Sequence, residues 1–189
     1  NRDIERLRIR RGERMVTSTM TENKMREIRI EKVTMNIGTG MPGEKLEKAR
    51  KLLEKISQSK PVSTRTKKRI PTWGVRPGLE IGAKVTVRGK KAEEVLARLL
   101  KAKANTLPNT KFDQLGNLSF GLHEYIDIPG VQYDASIGII GLEVAVTLMR
   151  PGFRIRNRAR KQKTIPKRHR ISKEESMKFM QQKFGVKVE

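Results

Sequence analysis

The chain has 189 residues, with 43 Lys and Arg against 20 Asp and Glu, for a formal net charge of +23. A field of that size favours a polyanionic partner, because each phosphate neutralised by a cation releases condensed counterions. The absence of cysteine excludes disulfides, thiolate nucleophiles and thiolate metal sites together, and no apolar run approaches the ~20 residues that span a bilayer.

Residues 1–24 mix acids and bases around few apolar anchors and read as a flexible N-terminal extension. Ile4 and Leu7 have helical spacing, but the segment is too short to hold a helix alone. Asn1–Arg6 has no apolar stretch behind its charges and so does not read as a secretory signal; Met15 or Met20 is expected as the functional start. Ile28 to Gly38 reads as a strand with Val33, Met35 and Ile37 on one face. Ile28 and Ile30 have the opposite parity, which calls for a bulge near Lys32. Glu44 to Gln58 is expected to be a helix with the stripe Leu46, Ala49, Leu52, Leu53 and Ile56.

Ser59 to Gly78 contains three prolines, no acid and six Lys or Arg, and reads as a long irregular segment. Ile81, Ala83, Val85 and Val87 then alternate with Gly82, Lys84, Thr86 and Arg88 as a half-buried strand. Ala92, Val95, Leu96, Leu99 and Leu100 give the next helix its stripe. Leu118, Phe120, Leu122, Ile126 and Ile128 suggest a strand running to Pro129-Gly130, and Leu142, Val144, Val146 and Leu148 another that stops at Pro151-Gly152. From Arg150 to Arg170 there are ten Lys or Arg and no acid. Ser172-Lys173-Glu174-Glu175 is a capping box for a last helix, with Met177, Met180 and Phe184 on its face and Gly185 at its end. The pattern predicts an α+β fold, a largely antiparallel sheet with helices packed on one face. The expected organisation is an extension over 1–24, a domain over 25–149 with a projecting basic loop at 61–78, and a basic C-terminal extension over 150–189.

Three groups of side chains are candidates for chemistry. Gly38-Thr39-Gly40-Met41-Pro42-Gly43 has dinucleotide-binding spacing, but no acid occurs between Glu54 and Glu80 and Pro42 lacks an amide, so a tight strand-to-helix turn is the better reading. His123 and His169 share no ligand-like spacing, so neither a metal nor a catalytic role is assigned. The basic runs are the third group. If helices cover the apolar sheet face, Thr34, Asn36, Lys84, Thr86 and Arg88 are left to meet RNA phosphates and 2′-hydroxyls. Arg65, Lys67, Lys68, Arg69 and Arg76 make the loop strongly positive; Trp73 within it either packs locally or stacks on a base. Arg154, Arg156, Arg158, Arg160, Lys161, Lys163, Lys167, Arg168 and Arg170 suit phosphate contacts, and mutual repulsion predicts a segment poorly ordered away from RNA. A DNA-compacting protein would account for the charge but not for the long loop, and a nicotinamide-dependent enzyme would rest on the glycine string alone.

Met25-Arg26-Glu27-Ile28-Arg29-Ile30-Glu31-Lys32-Val33-Thr34-Met35-Asn36-Ile37-Gly38 resembles the opening of the fifth large-subunit ribosomal protein family. Ser59-Lys60-Pro61-Val62, Ile81–Gly89, Gly116–Gly121, His123–Gly130 and Arg150-Pro151-Gly152-Phe153 follow in that family's order. The basic segment after Met149 is similar to the archaeal and eukaryotic branch. The resemblance spans about Met20 to the C-terminus. It implies a cytoplasmic, non-enzymatic protein without cofactor that binds 5S ribosomal RNA, with Ser59 and Lys60 joining the sheet-face residues in that contact, and helps attach the RNA in the central protuberance. It further implies that the loop carrying Trp73 reaches P-site tRNA. The implied partners also include large-subunit rRNA and other ribosomal proteins, among them the small subunit's head at an inter-subunit bridge. The family usually carries glutamine where this chain has Ser59.

Overall fold

The computed structural model describes residues 23–189, so the expectations for Ile4, Leu7 and residues 1–22 lie outside the described residues. In chain order the elements are β1 (Arg29–Gly38), α1 (Glu44–Ser57), β2 (Val62–Arg65), β3 (Glu80–Val87), α2 (Lys90–Ala102), β4 (Thr106–Leu107), β5 (Leu118–Leu122), β6 (Leu142–Met149), α3 (Lys173–Phe184) and β7 (Lys187–Val188). Five strands form one sheet in the order β2-β3-β1-β6-β5, with every neighbour antiparallel.

The alternating pattern decides which face is buried. Val33, Met35 and Ile37 of β1, Ala83, Val85 and Val87 of β3, and Val144, Val146 and Leu148 of β6 all point into one core. The apolar stripes of α1 and α2 complete it, from Leu46 to Ile56 and from Ala92 to Leu100. Fully burying such a side chain stabilises by about 1.5–3 kcal/mol, several times any difference in helix propensity, so the stripes set where the helices lie. Ile30 reaches the same core in spite of its parity, because the β1–β6 register slips between Ile30 and Lys32 and leaves Glu31 as the extra residue.

Two segments depart from the sequence expectation. The strand expected to run through Ile128 ends at Leu122. Continued alternation would have turned the Glu124 carboxylate inward; the chain instead leaves the sheet and buries Tyr125, whose hydroxyl accepts the Asp134 N–H at 3.0 Å. The stretch read as irregular from Ser59 to Gly78 contains edge strand β2 and folds back on itself. Thr66 pairs with Leu79 and Gly78, Ile70 pairs with Val75, and Val75 is buried.

The C-terminal part returns to the core. The Ser172 hydroxyl accepts the Glu175 N–H at 3.3 Å while the Glu175 carboxylate accepts the Ser172 N–H at 3.0 Å, and Gly185 closes α3 at φ 65°. Ile171, Met180 and Val186 join the core, and the Ser176 hydroxyl donates to the Gly116 carbonyl at 2.9 Å. Close packing of Ile171 requires glycine at 116: a Cβ there would sit 2.6 Å from Ile171 Cγ2, at a φ of +78°. The short parallel pair β4–β7, which no pattern in the sequence announces, ties down the chain's last residues.

Candidate RNA interface

Because both α1 and α2 lie on the apolar side, the other face of the sheet carries the outward residues of its strands. Thr34 stands beside Thr86, with hydroxyls 3.5 Å apart, and Asn36 stands beside Lys84. On the β6 side Thr34 meets Ala145, Asn36 meets Glu143 and Lys32 meets Thr147. The hydroxyl and amide side chains among them are short, so the middle of the face stays low, while Lys32, Lys84, Arg88 and one carboxylate, Glu143, stand around them. Gly82 keeps the face low near the edge: a Cβ there would lie 2.8 Å from both the Ile37 carbonyl oxygen and the Thr64 hydroxyl. A low polar surface with cations around it suits contacts to phosphates and 2′-hydroxyls along a nucleic-acid backbone. Arg88 also lies 3.8 Å from the Glu31 carboxylate, so part of its charge is engaged within the protein.

Thr34, Asn36, Lys84, Thr86 and Arg88 thus fall together. Ser59 does not join them, while Lys60 is exposed just before edge strand β2. The Ser59 hydroxyl donates to the Ser57 carbonyl and receives the Lys91 ammonium, both at 3.2 Å, which ties it to the end of α1 and to α2 on the helix side. Lys32 and Thr147 belong to the face but were not among the sequence candidates; the outward alternation of β6, with Lys32 beyond the bulge, was the available signal.

In the loop, Lys67, Lys68, Arg69 and Arg76 are exposed. Arg65 is partly spoken for, donating from Nη2 and Nε to Glu80 at 3.1 and 3.3 Å, and this hydrogen bonding holds the Glu80 carboxyl below its usual range. The Trp73 side chain lies outside what the structure describes.

In the extension, every residue from Arg156 to Thr164 is exposed, yet the path is defined. Arg158 donates to the Lys161 carbonyl at 2.9 and 2.6 Å, and the Lys163 N–H donates to the Ile155 carbonyl at 3.2 Å. Arg150, one of the ten basic residues of this run, is not available to a ligand. Buried at the end of β6, it donates to Glu175 at 2.7 Å and to the carbonyls of Arg170 and His169 at 3.1 and 3.4 Å. Burial pushes Glu175 up, but the Ser172 amide and the Arg150 guanidinium outweigh it and hold the carboxyl below its ordinary value.

The glycine string is a strand-to-helix turn in which the N–H groups of Thr39 and Gly40 are already used, both reaching the Ile81 carbonyl, at 2.9 and 3.1 Å. His169 Nε2 lies 2.9 Å from the Pro151 carbonyl and its ring meets Phe153 edge-on. Among the described residues no group of three His, Asp or Glu side chains could hold a metal ion, and no helix is long and apolar enough to cross a membrane.

Among the described residues, an antiparallel sheet carries helices on one face only and leaves the other polar, with Lys32, Lys84 and Arg88 beside Glu143, which defines an α+β protein with a strongly basic surface. Residues 23–76 match the family model described as ribosomal protein L5, and residues 80–179 match the C-terminal model of the same family. The large ribosomal subunit protein uL5 of Sulfurisphaera tokodaii is 52% identical over 174 residues, 92% of this chain and 98% of that protein. The uL5 proteins of Nanoarchaeum equitans and Nitrosopumilus maritimus are 49% and 46% identical, over 88% and 90% of this chain and 99% of each relative. The chain belongs to the ribosomal protein L5 family. It is a structural, non-enzymatic constituent of the large ribosomal subunit and works in the cytoplasmic ribosome.

Proposed function

We propose that the open sheet face binds 5S ribosomal RNA and that the protein thereby helps attach this RNA in the central protuberance. The loop from Thr66 to Leu79 then reaches P-site tRNA, the arginines of 154–170 rest on large-subunit rRNA, and the protein shares in a bridge to the small subunit's head. The observation that carries the reading is the juxtaposition of Thr34 with Thr86 and of Asn36 with Lys84 on a face that no helix among the described residues covers. Hydroxyl and amide groups at these spacings recognise RNA by shape and by its 2′-hydroxyls rather than by base sequence, which suits a largely helical RNA.

The test is the double substitution Asn36→Ala with Thr86→Ala. Losing two neutral hydrogen bonds of about 1 kcal/mol each should weaken 5S binding roughly 10- to 30-fold at constant salt. Thermal unfolding should be unchanged, because both side chains point away from the core. A duplex DNA of equal length, titrated at high salt, should compete poorly with 5S RNA. Wild-type affinity in a folded double variant would overturn the assignment.

A further inference from the structure

Where β5 begins and β6 ends beside the returning chain, the extension walls off a pocket of about 490 Å3. Its floor is apolar, made by Leu115, Phe153, Ile165 and Ile171, while Arg156, Lys163 and Arg170 contribute the cations of its lining, which contains no acid. Thr147 lines the pocket and is also an outward residue of β6, so the pocket adjoins the open sheet face.

We propose that this pocket takes up a single unstacked RNA base, with the phosphates on either side of it held by Arg156, Lys163 and Arg170. The inference rests on the RNA-binding reading of the open face and deepens it. A base is a flat ring that needs apolar walls, a few polar partners at its edge and cations for the phosphates it brings, and the pocket joins all three. Its volume falls within the range of small-ligand sites. Phe153 is half-buried and presents an aromatic wall. The Gln162 side-chain amide nitrogen donates to the Arg156 carbonyl, which leaves the Gln162 carbonyl oxygen to accept from the base edge. Arg170 Nε is fixed to the Ile165 carbonyl at 3.2 Å, so its guanidinium stays at the lining. Phosphate contact alone would need no wall; here the Arg158–Lys161 and Lys163–Ile155 bonds hold one in place without any buried residue between Arg156 and Thr164.

The test uses the full chain with labelled Leu and Ile methyl groups, titrated with each of the four nucleoside monophosphates and, separately, with ribose 5-phosphate. The methyls of Leu115, Ile165 and Ile171 should shift saturably with at least one nucleotide, and ribose 5-phosphate should bind at least ~10-fold more weakly, as expected when apolar walls rather than charge supply most of the contact. Gln162→Ala, at an exposed position, should weaken nucleotide binding roughly fivefold, the equivalent of one neutral hydrogen bond, and leave ribose 5-phosphate unchanged. Equal shifts with ribose 5-phosphate, or no shift of these methyls, overturn the pocket assignment. Affinity for 5S RNA is measured in parallel. A chain that binds 5S RNA without preferring a base loses the pocket alone, whereas one that fails to bind 5S RNA loses the reading of the open face as well.

Discussion

Arg150 joins the sheet to the basic segment that follows it, and replacing it should loosen that segment without touching the open face. Its side chain is 6% exposed and donates to Glu175 and to two backbone carbonyls. Arg150→Met keeps most of the buried methylenes and removes the charge. Charge-assisted bonds contribute about 1.5–3 kcal/mol each, but the gross sum overstates the loss. Glu175 is 44% exposed and returns to water, and the buried Arg150 Nε, which has no partner among the described residues, ceases to be a cost. A net loss of roughly 2–3 kcal/mol remains, worth a fall of about 5–10 °C in melting temperature for a chain of this size. Trypsin should also cut residues 154–170 faster in the variant. The pH dependence supplies a second check. The Glu175 carboxyl is held below its ordinary value of 4.5, so its stabilisation is complete above that value and is lost as pH falls through the lower folded value. The gap between Arg150→Met and wild type should therefore be full at neutral pH and narrow in acid. Melting within a degree or two of wild type, together with an unchanged tryptic pattern, would refute the clamp.

Replacing Arg154, Arg156, Arg158, Lys161 and Lys163 with glutamine should flatten the log–log salt dependence of rRNA binding by about 4, if each meets one phosphate; an unchanged slope would take these residues off the RNA. Replacing residues 67–77 with a short glycine linker spares β2 and should leave 5S affinity of the isolated protein nearly intact while loosening P-site tRNA in ribosomes; the reverse pattern would show that the loop serves a different RNA. Gly82→Ala should cost about 1–3 kcal/mol by overpacking against the Ile37 carbonyl and should free edge strand β2, seen as faster amide exchange at Ser63 and Thr64. Wild-type stability there would mean that the sheet yields more easily than its spacing implies.

The sheet and its two covering helices were legible because each rests on a period. Alternation at Val33–Ile37, Ala83–Val87 and Leu142–Leu148 and the 3.6-residue stripes of α1 and α2 have to be buried together, and one core is the simplest way to do it. The bulge was legible for the same reason, since Ile28 and Ile30 could not share a face with Val33 without an extra residue. What escaped was structure without a period. β2 is four residues of Val, Ser, Thr and Arg whose only guarantee is the exposed edge of β3, and β4 and β7 are two residues each. The strand expected through Ile128 failed on one residue: apolar alternation resumed at Ile126, but Glu124 in between could not be buried, and Tyr125 turned inward in its place.

The open face could be inferred because it is the complement of the buried one: once Val33 and Met35 point in, Thr34 and Asn36 have to point out. No such complement exists for charges in a run. Arg150 and Arg154 are alike as letters, yet one is buried against Glu175 and the other is exposed, and only the return of Ser172–Glu175 to the end of β6 separates them. That return depends on contacts 25 residues apart in the chain, such as Arg150 with Glu175, and on Ile171 filling the space that Gly116 leaves open. Residue type bounds what a basic segment can touch, but which of its cations face outward is settled by the long-range packing that spends some of them inside the protein. The arginines of this extension should therefore differ in their effect on RNA affinity according to burial rather than order along the chain, with Arg150 acting through stability and Arg154 to Arg160 through the salt dependence of binding.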